Sequence, residues 1–262
     1  MSVQVDEIAP DIYRLCTFVP EVPPAGFTFN QFLVVDDEPL LYHAGPRLAF
    51  PHVAAAVEEV LGSLERLRWV SFSHVESDES GAMNQFLEAA PHAQVAFNAL
   101  GCGVSLNDLA IREPRVLSED EPLELGSKRM RLIETPHVPH NWESQMLFEE
   151  VTGTLFCGDV FTQVGDRGAL VGDDVLEPAL EAEDVFHQNS LSAHCGATLR
   201  RLASFEPQTL AIMHGASYAG TTVEALSELA DEYDRRALKV LEQGLGGVVG
   251  KGCPQMPGDV PR

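Results

Sequence analysis

Basic residues are scarce in this chain of 262 residues: 17 Lys and Arg stand against 40 Asp and Glu, a net charge of −23. So acidic a surface repels phosphate backbones and anionic lipid, which argues against nucleic-acid binding through a broad basic face and against docking on an anionic membrane. Cysteine is sparse too. Cys16, Cys102, Cys157, Cys195 and Cys253 are dispersed without a C-x-x-C pair, so zinc-ribbon spacing is absent and reduced thiols in a cytoplasm are expected rather than a disulfide framework. No apolar run approaches a membrane span. The opening MSVQVDEIAPDIYRL lacks the basic segment and apolar core of a secretory signal. Gly101 and Gly103 are not followed by the Lys-Ser/Thr of a phosphate loop, and no G-x-S-x-G elbow occurs.

What is present is ample apolar material, 45% of the residues, enough for a sizeable core. DIYRLCTFV and FTFNQFLVVDDEPLLYHAG are rich in β-branched and aromatic residues broken by turn signals, and read as strands. PHVAAAVEEVLGSLERL has helical spacing with Pro51 at its start. RWVSFSH is a short strand, SGAMNQFLEAAP a helix, AQVAFN a strand and ALGCGVSLNDLA a helix. The second half repeats the theme. KRMRLIETP, SQMLFEEV and GTLFCGDVF are strands, EPALEAEDVFHQNSLSAHCGATLRRLASF is helical in one or two pieces, TLAIMHG is a strand, and TTVEALSELADEYDRRALKVLEQ is an amphipathic helix. Strands then helices occur twice with no linker between. The economical architecture is α/β (α+β), a four-layer αββα sandwich in one domain over residues 1–243, with a loose Gly/Pro-rich tail at 244–262.

Several strands stop at a residue able to bind a metal. WVSFSH ends in His74, RLIETPHVPH brings His137 and His140, LFCGD ends in Asp159 and LAIMH ends in His214. Strand ends on one edge of a sheet are neighbours in space, so these side chains can converge from distant parts of the chain. Glu76, Asp78 and Glu79 follow His74 within five residues. Any one of these residues is unremarkable as a turn former or surface group; the joint pattern points to a metal centre.

The set resembles the metallo-β-lactamase fold, and within it the diiron branch typified by flavodiiron proteins. Hydrolytic members carry His-x-His-x-Asp-His; the diiron branch has Glu for the second His, as in His74-Val-Glu76-Ser-Asp78 here. PHNWESQM is similar to the branch's His-Trp-Pro-Asp-Ser-Met element, which selects His140 over His137, and LFCGDVF and IMHG match the elements of the bridging aspartate and last histidine. The likeness covers roughly residues 5–243. It implies one iron held by His74, Glu76 and His140, a second by Asp78 and His214, and Asp159 bridging. The branch has a histidine directly after the motif's Asp; here that position is Glu79, expected as a substitute carboxylate ligand of the second metal, with a side chain pointing away or a lowered occupancy of that site as the alternatives. Carboxylates favour iron over zinc, so two non-haem iron ions are implied.

The resemblance further implies a protein that binds dioxygen, or nitric oxide, for sensing or reduction. With no flavodoxin-like region expected, FMN is not expected either. If the chain is an enzyme, it is an oxygen or nitric oxide reductase fed by an external reductase or rubredoxin-like donor. A homodimer is implied by likeness alone, and the cytoplasmic location is the one expected from the dispersed cysteines. Two other readings stand beside this one: a dinuclear zinc hydrolase using a metal-bound hydroxide, and a metal-poor signalling module. Among the remaining residues, His43 reads as structural or pocket-lining. His137 reads as a support for His140 or a loop residue. Trp142 reads as packing over the site or filling the core, and Cys157 as core.

Overall fold

Alternation of apolar residues builds an antiparallel meander at the N-terminus. β1 (Gln4–Ala9), β2 (Ile12–Val19), β3 (Phe27–Val34) and β4 (Leu40–Tyr42) pair in order, with β2 and β3 in register from Ile12↔Val34 to Val19↔Phe27. The computed structural model describes residues 2–243; the tail expected at 244–262, with Cys253, lies outside the described residues. Parallel pairing then takes over through β5 (Trp69–Ser71), β6 (Gln94–Asn98) and β7 (Arg115–Leu117), completing a seven-stranded sheet in sequential order. The crossovers are helical: α1 (Phe50–Leu61), then α2 (Ser77–Ser80) and α3 (Met83–Ala89), then α4 (Ala99–Gly101) and α5 (Asn107–Leu109) around a π-helical turn at Cys102–Leu106. α1 begins beside Pro51 and stops at Gly62, whose φ of 79° closes the helix in the left-handed region.

The second sheet also has seven strands. They are β8 (Leu123–Glu124), β9 (Arg129–Glu134), β10 (Gln145–Glu149), β11 (Thr154–Phe156), β12 (Leu170–Val171), β13 (Thr209–Ala211) and β14 (Ser217–Tyr218), in spatial order β12-β14-β13-β11-β10-β9-β8. α6 (Leu176–Phe186), α7 (Cys195–Ala203) and α8 (Thr222–Gln243) cover its outer face. The helical stretch 176–203 is therefore in two pieces.

Three apolar layers hold four layers of structure together. Val53, Val57, Phe86 and Leu87 seal the first sheet from outside. Leu199, Leu202, Leu226 and Leu229 seal the second. Between the sheets lie Ile12, Phe32, Tyr42, Trp69, Leu132, Leu147, Phe156 and Ala211, nearly all without solvent contact. This is the αββα sandwich. Among the described residues no helix is long and apolar enough to cross a membrane.

Polar ties align the sheets at one end. The backbone N–H of Gln145 on β10 donates to Ser73 O after β5 (2.8 Å), and its side chain donates to Phe72 O (3.2 Å). Asn30 on β3 donates from Nδ2 to Ile212 O and Gly215 O after β13 (2.9 and 2.8 Å). Buried amides are costly unless paired, so these contacts fix the relative position of the loops that carry the candidate ligands.

Candidate metal centre

Six of the side chains singled out above meet at that end, in the cleft between the sheets. His74 follows β5, Glu76 precedes α2 and Asp78 lies within it, His140 sits between β9 and β10, Asp159 follows β11 and His214 follows β13. His74 Nε2 is 2.9 Å from His140 Nε2 and 2.7 Å from Glu76 Oε2, which is 3.2 Å from His140 Nε2. Asp159 Oδ2 is 3.7 Å from both ring nitrogens. These four residues offer one atom each within 4.8 Å of one another. On the other side, His214 Nε2 is 3.3 Å from Asp78 Oδ2 and 3.2 Å from Asp159 Oδ1. Asp159 thus turns one oxygen to each group. Its Oδ1 is buried without a well-formed hydrogen bond, as expected of an atom reserved for a cation.

The histidines are set for ligation by their far nitrogens. His140 Nδ1 donates to Gln188 O (3.1 Å) and His214 Nδ1 to Thr28 O (2.7 Å). Carbonyl oxygens only accept, so Nδ1 carries the proton and Nε2 is left to face the cleft. His74 Nδ1 lies 2.8 Å from Ser73 Oγ. Gly215 allows the sharp exit after His214: its φ is +115°, and a Cβ there would stand 2.6 Å from that of Gln163. Three imidazoles and three carboxylates in this arrangement fit a pair of divalent cations sharing Asp159.

A model of the family described as ODP family beta lactamase matches residues 27–215, from the start of β3 to the residue after His214. The chain belongs to this family. Among curated proteins, coenzyme F420H2 oxidase of Methanothermobacter marburgensis is 29% identical over 145 residues, 53% of this chain and 35% of that protein. Rubredoxin-oxygen oxidoreductase of Megalodesulfovibrio gigas is 22% identical over 207 residues, 75% of this chain and 50% of that protein. The ODP-family chain thus spans half or less of the curated relatives it matches. Among solved structures, the flavodiiron protein of Giardia intestinalis superposes with a TM-score of 0.76 at 15% identity, covering 90% of this chain and 60% of that one. At that identity the likeness establishes the fold, the metallo-β-lactamase-like core of flavodiiron proteins.

Not every residue singled out in this ODP-family sequence joins the cluster. Glu79 does not. Its carboxylate is fully buried and turned back under the loop before α2, where it accepts from Ser73 N, Ser73 Oγ and His74 N (2.7, 2.6 and 2.9 Å). His43 is fully buried as well; its Nδ1 donates to Asn30 O and its Nε2 is 3.3 Å from Glu79 Oε1, so it is structural. His137 is exposed and its backbone N–H donates to Asn141 O, while His140 is oriented by the bond its own Nδ1 donates to Gln188 O. Trp142 is 56% exposed and does not fill the core. Cys157 is buried in the core between β11 and the outer helices. Sequence reasoning missed Ser73, Thr28 and Gln188. The last two act through backbone carbonyls, which leave no mark in a sequence.

The charges of the ODP-family cleft make a pH prediction. Burial disfavours the charged form of His74, but the carboxylates of Glu79, Glu76 and Asp159 outweigh it and raise its pKa to about 10. Asp159 and Asp78 raise His214 to about 10 against the same burial. Hydrogen bonds from His140 and His74 lower Glu76 to about 2. The raised histidines stabilise the metal-free fold fully below their ordinary value of 6.5, and that contribution is lost as pH rises through about 10. The lowered Glu76 contributes above its ordinary 4.5 and loses that as pH falls through about 2. Metal-free protein is therefore expected to melt at a lower temperature at pH 9 than at pH 6. Metal affinity should rise over the same interval, with protons released at pH 7, because ligation needs neutral imidazole. Calorimetric titration in buffers of differing ionisation enthalpy measures that release; none at pH 7 would contradict the assignment.

Proposed function

We propose that the chain is a non-haem diiron protein that binds dioxygen, or nitric oxide, and reduces it when electrons are supplied from outside. The observation that carries this is the inward-facing Nε2 of His74, His140 and His214 around Asp159, whose two oxygens face separate groups. His74, Glu76 and His140 would hold one iron, Asp78 and His214 the other, and Asp159 both. Glu76, Asp78 and Asp159 are hard anionic donors that suit iron and offset most of the charge of two divalent ions. Two ferrous ions bound there would supply the electrons that a diatomic oxidant accepts.

The rest is the work of this chain's own side chains. The Phe27 ring stacks on the His214 ring at 4.2 Å, Phe29 meets it edge-on at 5.3 Å, and Phe186 meets Phe27 at 5.5 Å. The His214 side of the cleft is therefore backed by aromatic rings, an apolar surrounding that suits a small apolar molecule better than a phosphodiester. The net charge of −23 also repels anionic hydrolase substrates. Glu76 stands at the mouth, 49% exposed on its side chain, and ties His74 to His140.

By likeness to the protein named rubredoxin-oxygen oxidoreductase, the electron donor is a separate rubredoxin-like protein or a reductase, met in the cytoplasm. Stopped-flow absorbance tests the reading: anaerobic, reduced, iron-loaded protein mixed with oxygenated buffer should show a visible-region change and consume dissolved oxygen. Persistence of the new spectrum identifies a binding or sensing protein; rapid cycling with added donor identifies a reductase. Zinc alone in protein from iron-replete cells, with phosphodiester or thioester hydrolysis, would overturn it.

A further inference from the structure

Asp78 and Glu79 are adjacent in sequence, yet their side chains serve different ends. Asp78 reaches His214, and Glu79 reaches back to residues 73 and 74. Both Glu79 oxygens are committed there. Oε2 accepts from the backbone N–H groups of Ser73 and His74, and Oε1 accepts from the Ser73 hydroxyl at 2.6 Å. A hydroxyl has one proton. Having donated it to Glu79, Ser73 Oγ can only accept from His74 Nδ1, 2.8 Å away. The seat of that hydroxyl depends on Gly158, at φ +53°, where a Cβ would stand 2.3 Å from Ser73 Oγ.

We propose that Glu79 is a positioning residue and not a metal ligand: acting through Ser73, it fixes the tautomer and ring direction of His74 at the first metal position. This rests on reading the cleft as a dinuclear centre. It leaves the two positions unequal. His74, Glu76, His140 and Asp159 face one ion, whereas Asp78, His214 and Asp159 face the other. His43 does not make up the difference, since its Nδ1 is spent on Asn30 O and its Nε2 lies against Glu79.

Anaerobic equilibrium dialysis of metal-free protein against ferrous iron separates the alternatives. Wild type should load in two steps, the first tighter. Glu79→Gln keeps the size of the side chain and one oxygen for the two backbone N–H groups, but turns an amide NH2 toward Ser73 Oγ. The hydroxyl, left without its acceptor, is then free to donate to His74 Nδ1, which favours the ring proton on Nε2, the nitrogen that should bind metal. The variant is expected to weaken the first step by roughly 10–100-fold, the usual cost of losing an outer partner. Ser73→Ala leaves both backbone bonds to Glu79 in place and should weaken the same step, so the proposal stays testable if Glu79→Gln does not fold. In zinc-loaded wild type the Nδ1-bound proton of His74 should give a slowly exchanging low-field NMR signal, and Ser73→Ala should exchange it faster. Loss of the second step with the first intact would show Glu79 to be a ligand and overturn the proposal. So would two unchanged steps in folded Glu79→Gln or Ser73→Ala. A wild type that binds no iron would instead overturn the dinuclear reading, and that result appears before any substitution is made.

Discussion

Asp159→Ala should lose both metal ions. Its Oδ2 faces His74 and His140 at 3.7 Å and its Oδ1 faces His214 at 3.2 Å, so among the six side chains of the cluster it is the one that faces both groups. The expected loss is more than about 100-fold in affinity at each position, beyond the range for an outer partner. The turn itself should survive, because the Asp159 backbone carbonyl still accepts from Thr162 N, Thr162 Oγ1 and Gln188 Nε2. Asp159→Asn keeps one carbonyl oxygen and should retain more metal than Asp159→Ala. Elemental analysis after dialysis measures both; unchanged metal content in Asp159→Ala would refute the shared role.

Phe156→Ala should cost about 3–5 kcal/mol of stability, the range for deleting a large aromatic from a packed core. Phe156 is fully buried at the end of β11, where it meets Phe32 of the opposite sheet edge-on at 5.7 Å and the Tyr42 ring at 5.0 Å. Its removal opens a cavity between two sheets, each kept rigid by its own ladder of hydrogen bonds, so the gap cannot close cheaply. Against a total stability of about 5–15 kcal/mol, this is a large fraction. Urea denaturation of metal-free wild type and variant tests it. A midpoint shift worth less than about 1 kcal/mol, at equal slope, would mean that the inter-sheet layer is not where the two halves are joined.

Most of the regular structure was legible from pattern. β2, β3 and β9 alternate or cluster β-branched and aromatic residues, and α1 and α8 repeat apolar residues at helical spacing. The strands without a signal are the shortest ones. β8, β12 and β14 have two residues each, too few for a period of two to be seen. Among the site residues, the histidines and Asp159 stood out because each directly follows a strand or strand-like run. His140 and His137 could not be separated by that criterion, since both follow β9. The loop decides: Thr135 Oγ1 and Ser144 Oγ both donate to Val138 O, and His137 N donates to Asn141 O. With the loop tied in this way, His140 faces the cleft and His137 faces solvent.

By itself the sequence determined that this chain is acidic, rich enough in apolar residues for a layered α/β core, and supplied with metal-capable residues at the ends of several strands. Those are properties of composition and local order, and they survive any arrangement of the elements. Only the tertiary structure decided where each carboxylate points. Asp78 and Glu79 are consecutive residues of α2, and consecutive residues of a helix point about 100° apart. One therefore enters the cleft beside His214 while the other turns beneath it, where two backbone N–H groups and a hydroxyl wait in a space that Gly158 leaves open. The outer partners of His140 and His214 were likewise beyond the sequence, because any residue has a carbonyl and only the packing of the two sheets brings those of Gln188 and Thr28 into reach.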